Sequence, residues 1–384
     1  MSQGLIAEEL IAEAQRATGL EDFGGDSFRE GLEILLGDIN RDAGRPPEFV
    51  ARNRGAVLKA LSDRLQVIQA HAARPEICEL AVERPVFVLG IPRTGTTLLS
   101  NLLAADPGRR PLLTWEIAHP VPAPTTATLY SDPRALAMLE AGREMLARNP
   151  GAGKYYRNAA TYPNEDVFVL AHEFKTLMWE SYGRLPNYRD WIFQADMTSG
   201  YAYHKKFLQL HQADAPGVWS LKMPSHSLHI LDLLKVYPDA RLVWTHRDPF
   251  TAAASLCSLA RLAHSTFAGR VDMAWIAESC PWQAAQHANR AMDARDALAE
   301  DRLIDVHYAD LLRDPLAAMR RLYGALGDEF TPEAEAGMSA WIADNPQGKF
   351  GRHEYQLAEF GLSKAALEPL FERYLSRYEV EPEG

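Results

Sequence analysis

The stretch Pro85-Val86-Phe87-Val88-Leu89-Gly90-Ile91-Pro92-Arg93-Thr94-Gly95-Thr96-Thr97-Leu98-Leu99 constrains the fold of this chain more than any other. A short apolar run rich in β-branched residues reads as a buried strand, and it breaks at Gly90 into a turn of Pro and Gly. Apolar residues then recur at Leu98, Leu99, Leu102 and Leu103, the spacing of an amphipathic helix. Strand, glycine loop and helix form an anion cradle, in which loop N–H groups and the positive end of the helix dipole converge. The plainer alternative is a glycine turn that serves packing alone.

Gly90-x4-Gly95-Thr96-Thr97 has the spacing of a Walker A loop, but Thr96 stands where a triphosphate-binding loop has lysine. A cation is supplied earlier, by Arg93 within the loop. Such a loop suits a phosphate-like group without the lysine of triphosphate chemistry. A second strand candidate, Arg241-Leu242-Val243-Trp244-Thr245-His246, runs into Arg247-Asp248-Pro249 and an alanine-rich helix. Arg247 thus lies at a strand's carboxyl end and Ser255 about two helical turns further on.

Pro-Arg-Thr-Gly-Thr-Thr-Leu-Leu resembles the 5′-phosphosulfate loop of sulfotransferases that use 3′-phosphoadenosine-5′-phosphosulfate (PAPS). The resemblance covers roughly residues 84 to 375. It implies that Pro92, Arg93, Thr94, Gly95, Thr96 and Thr97 hold the phosphosulfate, while Arg247 and Ser255 grip the 3′-phosphate. The ordinary reading of Thr96 and Thr97 is as helix-start residues, and both readings are compatible. Within Val306-His307-Tyr308-Ala309-Asp310-Leu311-Leu312, the resemblance makes Tyr308 an adenine contact, although Ala309 departs from the family's glutamate. The late basic run Gln347–His353 falls where such enzymes close over the 3′-phosphate, giving Lys349 and Arg352 as further contacts. Leu98 stands in place of the adenine-stacking tryptophan of the cytosolic members.

For the reacting centre the resemblance implies Lys222, in Leu221-Lys222-Met223-Pro224, as the cation near the sulfonate and leaving phosphate. Two residues compete for the base that takes the acceptor's proton. Glu116 follows the loop helix at the distance of the catalytic glutamate in tyrosylprotein and some bacterial members, and is preferred because the loop also carries arginine. His226 is the other contender. A structural hydrogen-bonding role is the alternative for both.

The expected fold is α/β, a P-loop-like, mainly parallel sheet with helices on both faces. Strand candidates are Val86–Leu89, Leu112–Trp115, Val218–Leu221, Leu242–Thr245 and Leu303–Tyr308. Residues 1–80 read as a helical extension and 81–384 as the sulfotransferase domain. Within the latter, the aromatic-rich segment 120–215 forms an acceptor-binding cap. Most of its aromatics are expected in the core.

A net charge of −11 argues against a general nucleic-acid or anionic-membrane surface, so any anion site is a local basic pocket. Cys78, Cys257 and Cys280 form no C-x-x-C pair, and no apolar run approaches a membrane span. The acidic start of the chain is unlike a signal peptide, so the cytoplasm is expected. The function implied is sulfonate transfer from PAPS, without metal, to a hydroxyl of a small-molecule, lipid or glycan acceptor. A P-loop kinase and a non-catalytic nucleotide-binding scaffold are the alternatives. Oligomeric state is left open.

Overall fold

Five short strands, β1 (Val86–Gly90), β2 (Arg109–Pro111), β3 (Val218–Lys222), β4 (Arg241–His246) and β5 (Leu303–His307), form one sheet in a computed structural model. The structure describes residues 4–42, 46–148, 159–346 and 356–383. The strand order is β2-β3-β1-β4-β5, and every pairing is parallel. Successive residues of a strand point to opposite faces, and here both faces are covered. Phe87 and Leu89 enter one apolar cluster with Leu221, Leu242 and Trp244. Val86 and Val88 enter another with Val243 and Val306. That double burial explains why β1 reads as an unbroken apolar run.

The N-terminal helices α1 (Ala7–Thr18), α2 (Arg29–Arg41) and α3 (Pro47–Ala73) bury Leu10, Leu35 and Leu61 in the same cluster as Phe87. Helix α4 (Thr96–Ala104) places Leu99, Leu102 and Leu103 under the opposite face. Between β2 and β3 run α5 (Thr114–Ala118), α6 (Pro133–Arg148), α7 (Val167–Leu170), α8 (Pro186–Ile192) and α9 (Thr198–Gln212). This segment buries Phe174, Trp179, Tyr188, Phe193, Tyr201 and Tyr203, whereas Tyr162 and Phe168 remain exposed. Then follow α10 (Ile230–Val236), α11 (Pro249–Ala263), α12 (Met273–Asp296), α13 (Tyr308–Arg313), α14 (Pro315–Leu326), α15 (Pro332–Asp344) and α16 (Lys364–Arg377).

One strand expectation requires correction. Leu112–Trp115 is not a strand: the edge strand is Arg109–Pro111, and Thr114 already opens α5. The Glu116 carboxylate accepts the Leu113 N–H, closing a helix start where the apolar run alone looked extended. Tyr308 likewise opens α13 instead of ending β5.

The sheet order reverses about β1, since the chain moves from β1 to β3 and β2 on one side and to β4 and β5 on the other. In open α/β sheets, ligands bind beyond the strands' carboxyl ends at such a point. Gly90, Lys222, Arg247 and Tyr308 all lie at that end.

Candidate active site

The loop after β1 takes its shape from two left-handed positions, Arg93 at φ 76° and Gly95 at φ 92°. A Cβ at Gly95 would overlap the ring of Tyr308, so the side-chain-free position lets α13 approach the loop. Thr94 is buried, and its hydroxyl donates to Ile91 O at 2.7 Å and meets the Thr245 hydroxyl at 2.6 Å. Its side chain therefore staples the loop to β4. Gly95 is the N-cap of α4, so neither Thr96 nor Thr97 occupies that position, and the cap supplies no side-chain acceptor. A helix start capped in this way leaves first-turn N–H groups for an anion. Thr96 is buried within the first turn, and Thr97 is exposed beside it.

Arginines close around this helix start. Arg93 Nε donates to Ser255 Oγ at 3.0 Å, and Arg247 Nη1 donates to Arg93 O at 2.9 Å. The Arg247 guanidinium also lies over the Tyr308 ring, 4.5 Å from its centroid. The structure thus gathers Arg93, Gly95, Arg247, Ser255 and Tyr308 from four separate segments, with Pro92 half-buried at the loop's start. A cleft of about 590 Å³ opens beside Arg247, Tyr308 and Arg313, bordered by residues 379–383. From that border the Glu383 carboxylate accepts from Arg247 Nε and Nη2, each at 2.6 Å, and Glu381 pairs with Arg313 at 2.6 Å. Lys349 and Arg352 lie outside the described residues.

Lys222 ends β3, opposite Val88 of β1, and the next residue donates its N–H to Val88 O. Its buried ammonium is 2.6 Å from Glu165 Oε1, and that glutamate is one-third exposed. Glu165 was missed in the sequence because Pro163-Asn164-Glu165-Asp166 sits in an aperiodic turn, 57 positions before its partner. Two adjacent acids among aromatics were the available signal.

The structure buries both sequence-based candidates for the base. Glu116 is fully buried, paired with Arg110 through both carboxylate oxygens, with one oxygen also accepting the Leu113 N–H. It is committed to joining α5 to β2. His226 is also fully buried, with Nε2 at 2.8 Å from Asp166 and Nδ1 at 3.0 Å from the Tyr201 hydroxyl. Burial pushes its imidazole below the usual range. Both ring nitrogens are thus taken by buried partners.

No helix among the described residues is long and apolar enough to cross a membrane. A family model described as "Sulfotransferase family" matches residues 85–332. The chain is similar to sulfotransferase STF9 from Mycobacterium avium, at TM-score 0.94 and 41% identity over 100% of this chain and 99% of the other. It is also similar to sulfotransferase STF1 from Mycobacterium tuberculosis H37Rv, at TM-score 0.84 and 32% identity over 98% and 100%. The omega-hydroxy-beta-dihydromenaquinone-9 sulfotransferases Stf3 of Mycobacterium bovis and Mycobacterium tuberculosis are 25% identical over 63% of this chain. That match spans 62% of each relative's length, less than two thirds. With a P-loop-like parallel sheet, an arginine-bearing anion loop and these relatives, the chain belongs to the sulfotransferase family.

Proposed function

We propose that this protein transfers a sulfonate group from PAPS to a hydroxyl on a lipidic or other apolar acceptor. The observation that carries the reading is one juxtaposition: Arg93, Arg247 and Ser255 meet at the start of α4, while Lys222 pairs with Glu165 on the strand beside β1. In this reading Arg93, the N–H groups of residues 94–97 and Lys222 face the phosphosulfate. Arg247 and Ser255 serve the 3′-phosphate, and Tyr308 serves the adenine. The Stf3 relatives, sulfotransferases named for an omega-hydroxy-dihydromenaquinone, support a lipid-like acceptor. Residues 1–80 act as a helical extension, 81–384 as the transferase domain, and 120–215 as the cap that receives the acceptor.

When bound, PAPS supplies a sulfonate activated by a phosphate leaving group. The acceptor's O–H lies against Glu165, whose carboxylate takes the proton as the oxygen attacks. Lys222 and Arg93 donate to the oxygens on which negative charge grows, from positions fixed before the reaction begins. A proton leaves with Glu165, and the sulfate ester and 3′-phosphoadenosine-5′-phosphate (PAP) are the products. Two arginines, a lysine and the helix start provide positive charge, so the reading requires no metal.

Calorimetry with PAP and with 5′-AMP tests the donor. Charge-assisted bonds to the 3′-phosphate predict a preference for PAP of roughly ten- to a hundredfold, lost in Arg247→Ala. Equal affinities would overturn the assignment. Transfer of labelled sulfonate to a polyprenyl alcohol or 4-nitrophenol should persist in EDTA. It should fall ~10²–10⁴-fold in Glu165→Gln.

A further inference from the structure

Behind Glu165, the Asp166 carboxylate lies between two histidine–tyrosine pairs. His226 Nε2 is 2.8 Å from Asp166 Oδ2, and Tyr201 backs its Nδ1 at 3.0 Å. On the other side His204 Nε2 faces Asp166 Oδ1 at 3.8 Å, and Tyr237 backs its Nδ1 at 2.8 Å. All five side chains are buried. Burial pushes the Asp166 carboxyl up, and the two facing histidines more than reverse that push, leaving it below the usual carboxylate range. The hydrogen-bond pattern assigns a carboxylate that accepts from neutral His226, whose Nδ1 in turn accepts the Tyr201 proton.

A buried carboxylate is costly, and apolar side chains of similar volume would fill this space at less cost. Its position in the chain gives it a use. Residues 164–167 and 222–226 are joined by three links. The Asp166 N–H donates to Lys222 O at 3.2 Å, Glu165 meets Lys222 Nζ at 2.6 Å, and Asp166 meets His226 at 2.8 Å. The first and third links both run from Asp166, the residue next to Glu165. Glu165 itself stands in a turn and is partly exposed, so its own contacts leave it rotamer freedom.

We infer that Asp166, gripped by His226–Tyr201 and faced by His204–Tyr237, is a positioning residue that fixes the Glu165–Lys222 pair. Substrate never reaches it, and it acts only through its neighbours, as buried supporting groups fix the orientation of reactive ones. The importance of the pair for transfer rests on the function proposed above, but the positioning can be measured without any acceptor.

The test is the rate at which acetic anhydride acylates Lys222 in the full chain, read by peptide mass spectrometry, with exposed Lys235 as the reference. Glu165→Gln should raise the Lys222 rate roughly tenfold by removing its charged partner. Asp166→Asn and His226→Asn should approach the same rate. His226→Gln, whose amide can both donate and accept, should return towards wild type. The double variant Glu165→Gln/His226→Asn should label no faster than Glu165→Gln alone. Wild-type labelling in both Asp166→Asn and His226→Asn, or an additive double variant, would overturn the inference. If the larger changes unfold the chain, every lysine labels faster, and Tyr201→Phe then decides: a selective rise at Lys222 supports positioning and none overturns it. Full transfer activity in Glu165→Gln would instead overturn the base assignment, leaving the labelling comparison decisive for positioning.

Discussion

Arg247 donates from Nε and Nη2 to the Glu383 carboxylate, and in the proposed reading the same side chain serves the 3′-phosphate. On that reading a bound nucleotide displaces the carboxylate, so its affinity would include the loss of a partly exposed ion pair. Such pairs contribute about 1 kcal/mol or less, and Glu383→Gln should tighten PAP binding roughly three- to fivefold by calorimetry. Unchanged affinity would show that Glu383 does not occupy the phosphate position. Glu116 gives the opposite kind of expectation. Its pair with Arg110 is completely buried, so Glu116→Gln leaves a guanidinium without its counter-charge and should cost about 3 kcal/mol or more in denaturant unfolding. The transfer rate per folded molecule should stay at wild type. A large loss of rate at full stability would restore Glu116 as the base.

At the scale of elements, the short 3₁₀ turn Leu177–Tyr182 carries a half-buried acid with incomplete pairing. Glu180 Oε2 accepts from Gln283 at 2.8 Å, while Oε1 has no partner. Burial raises this carboxyl from its ordinary 4.5 to about 7. Between those two pH values the native chain holds a proton that the unfolded chain has released, so stability falls as pH rises through the window. Glu180→Gln should remove that slope. It should be the more stable form at pH 8, by ~2–3 kcal/mol, and should match wild type near pH 4.5. Parallel urea titrations of both proteins across that range check the sign. A wild-type protein that gains stability from pH 5 to 7 relative to the variant would refute it.

Across the whole molecule, the N-terminal helices and the sheet share one apolar cluster, in which Leu61 of α3 and Phe87 of β1 are both fully buried. Shared burial couples them, so the helices should not melt by themselves. Leu61→Ala should destabilise the entire chain by about 2–5 kcal/mol. The loss should move tryptophan fluorescence and far-ultraviolet circular dichroism together, in one transition. A separate early transition confined to helical signal would instead show the first 80 residues to be an independent unit. The same scale reconciles an acidic protein with an anion site. A net charge of −11 is spread over the chain, while Arg93, Arg247 and Lys222 are brought to one end of the sheet.

Local chemistry made much of this legible in advance. The run Val86–Leu89 between Pro85 and Gly90 reads as a buried strand, because a short β-branched apolar run ahead of a glycine break suits a strand covered on both faces. Arg93, Gly95 and the leucines of α4 follow in continuous sequence, so their joint placement needs no distant contact. The arginine at the end of β4 was readable for the same reason. What the sequence could not show was which acid faces Lys222. Glu116 lies in the first turn of the short helix α5 and Glu165 in an irregular turn, and no periodicity in the sequence separates their roles. The difference lies in partners and packing: Arg110 and burial hold Glu116 in the core, while Glu165 is partly exposed and pairs with Lys222. Side-chain pairing across 57 positions depends on how β3 lies against β1 and how the intervening helices fold back, and only the tertiary structure decides that.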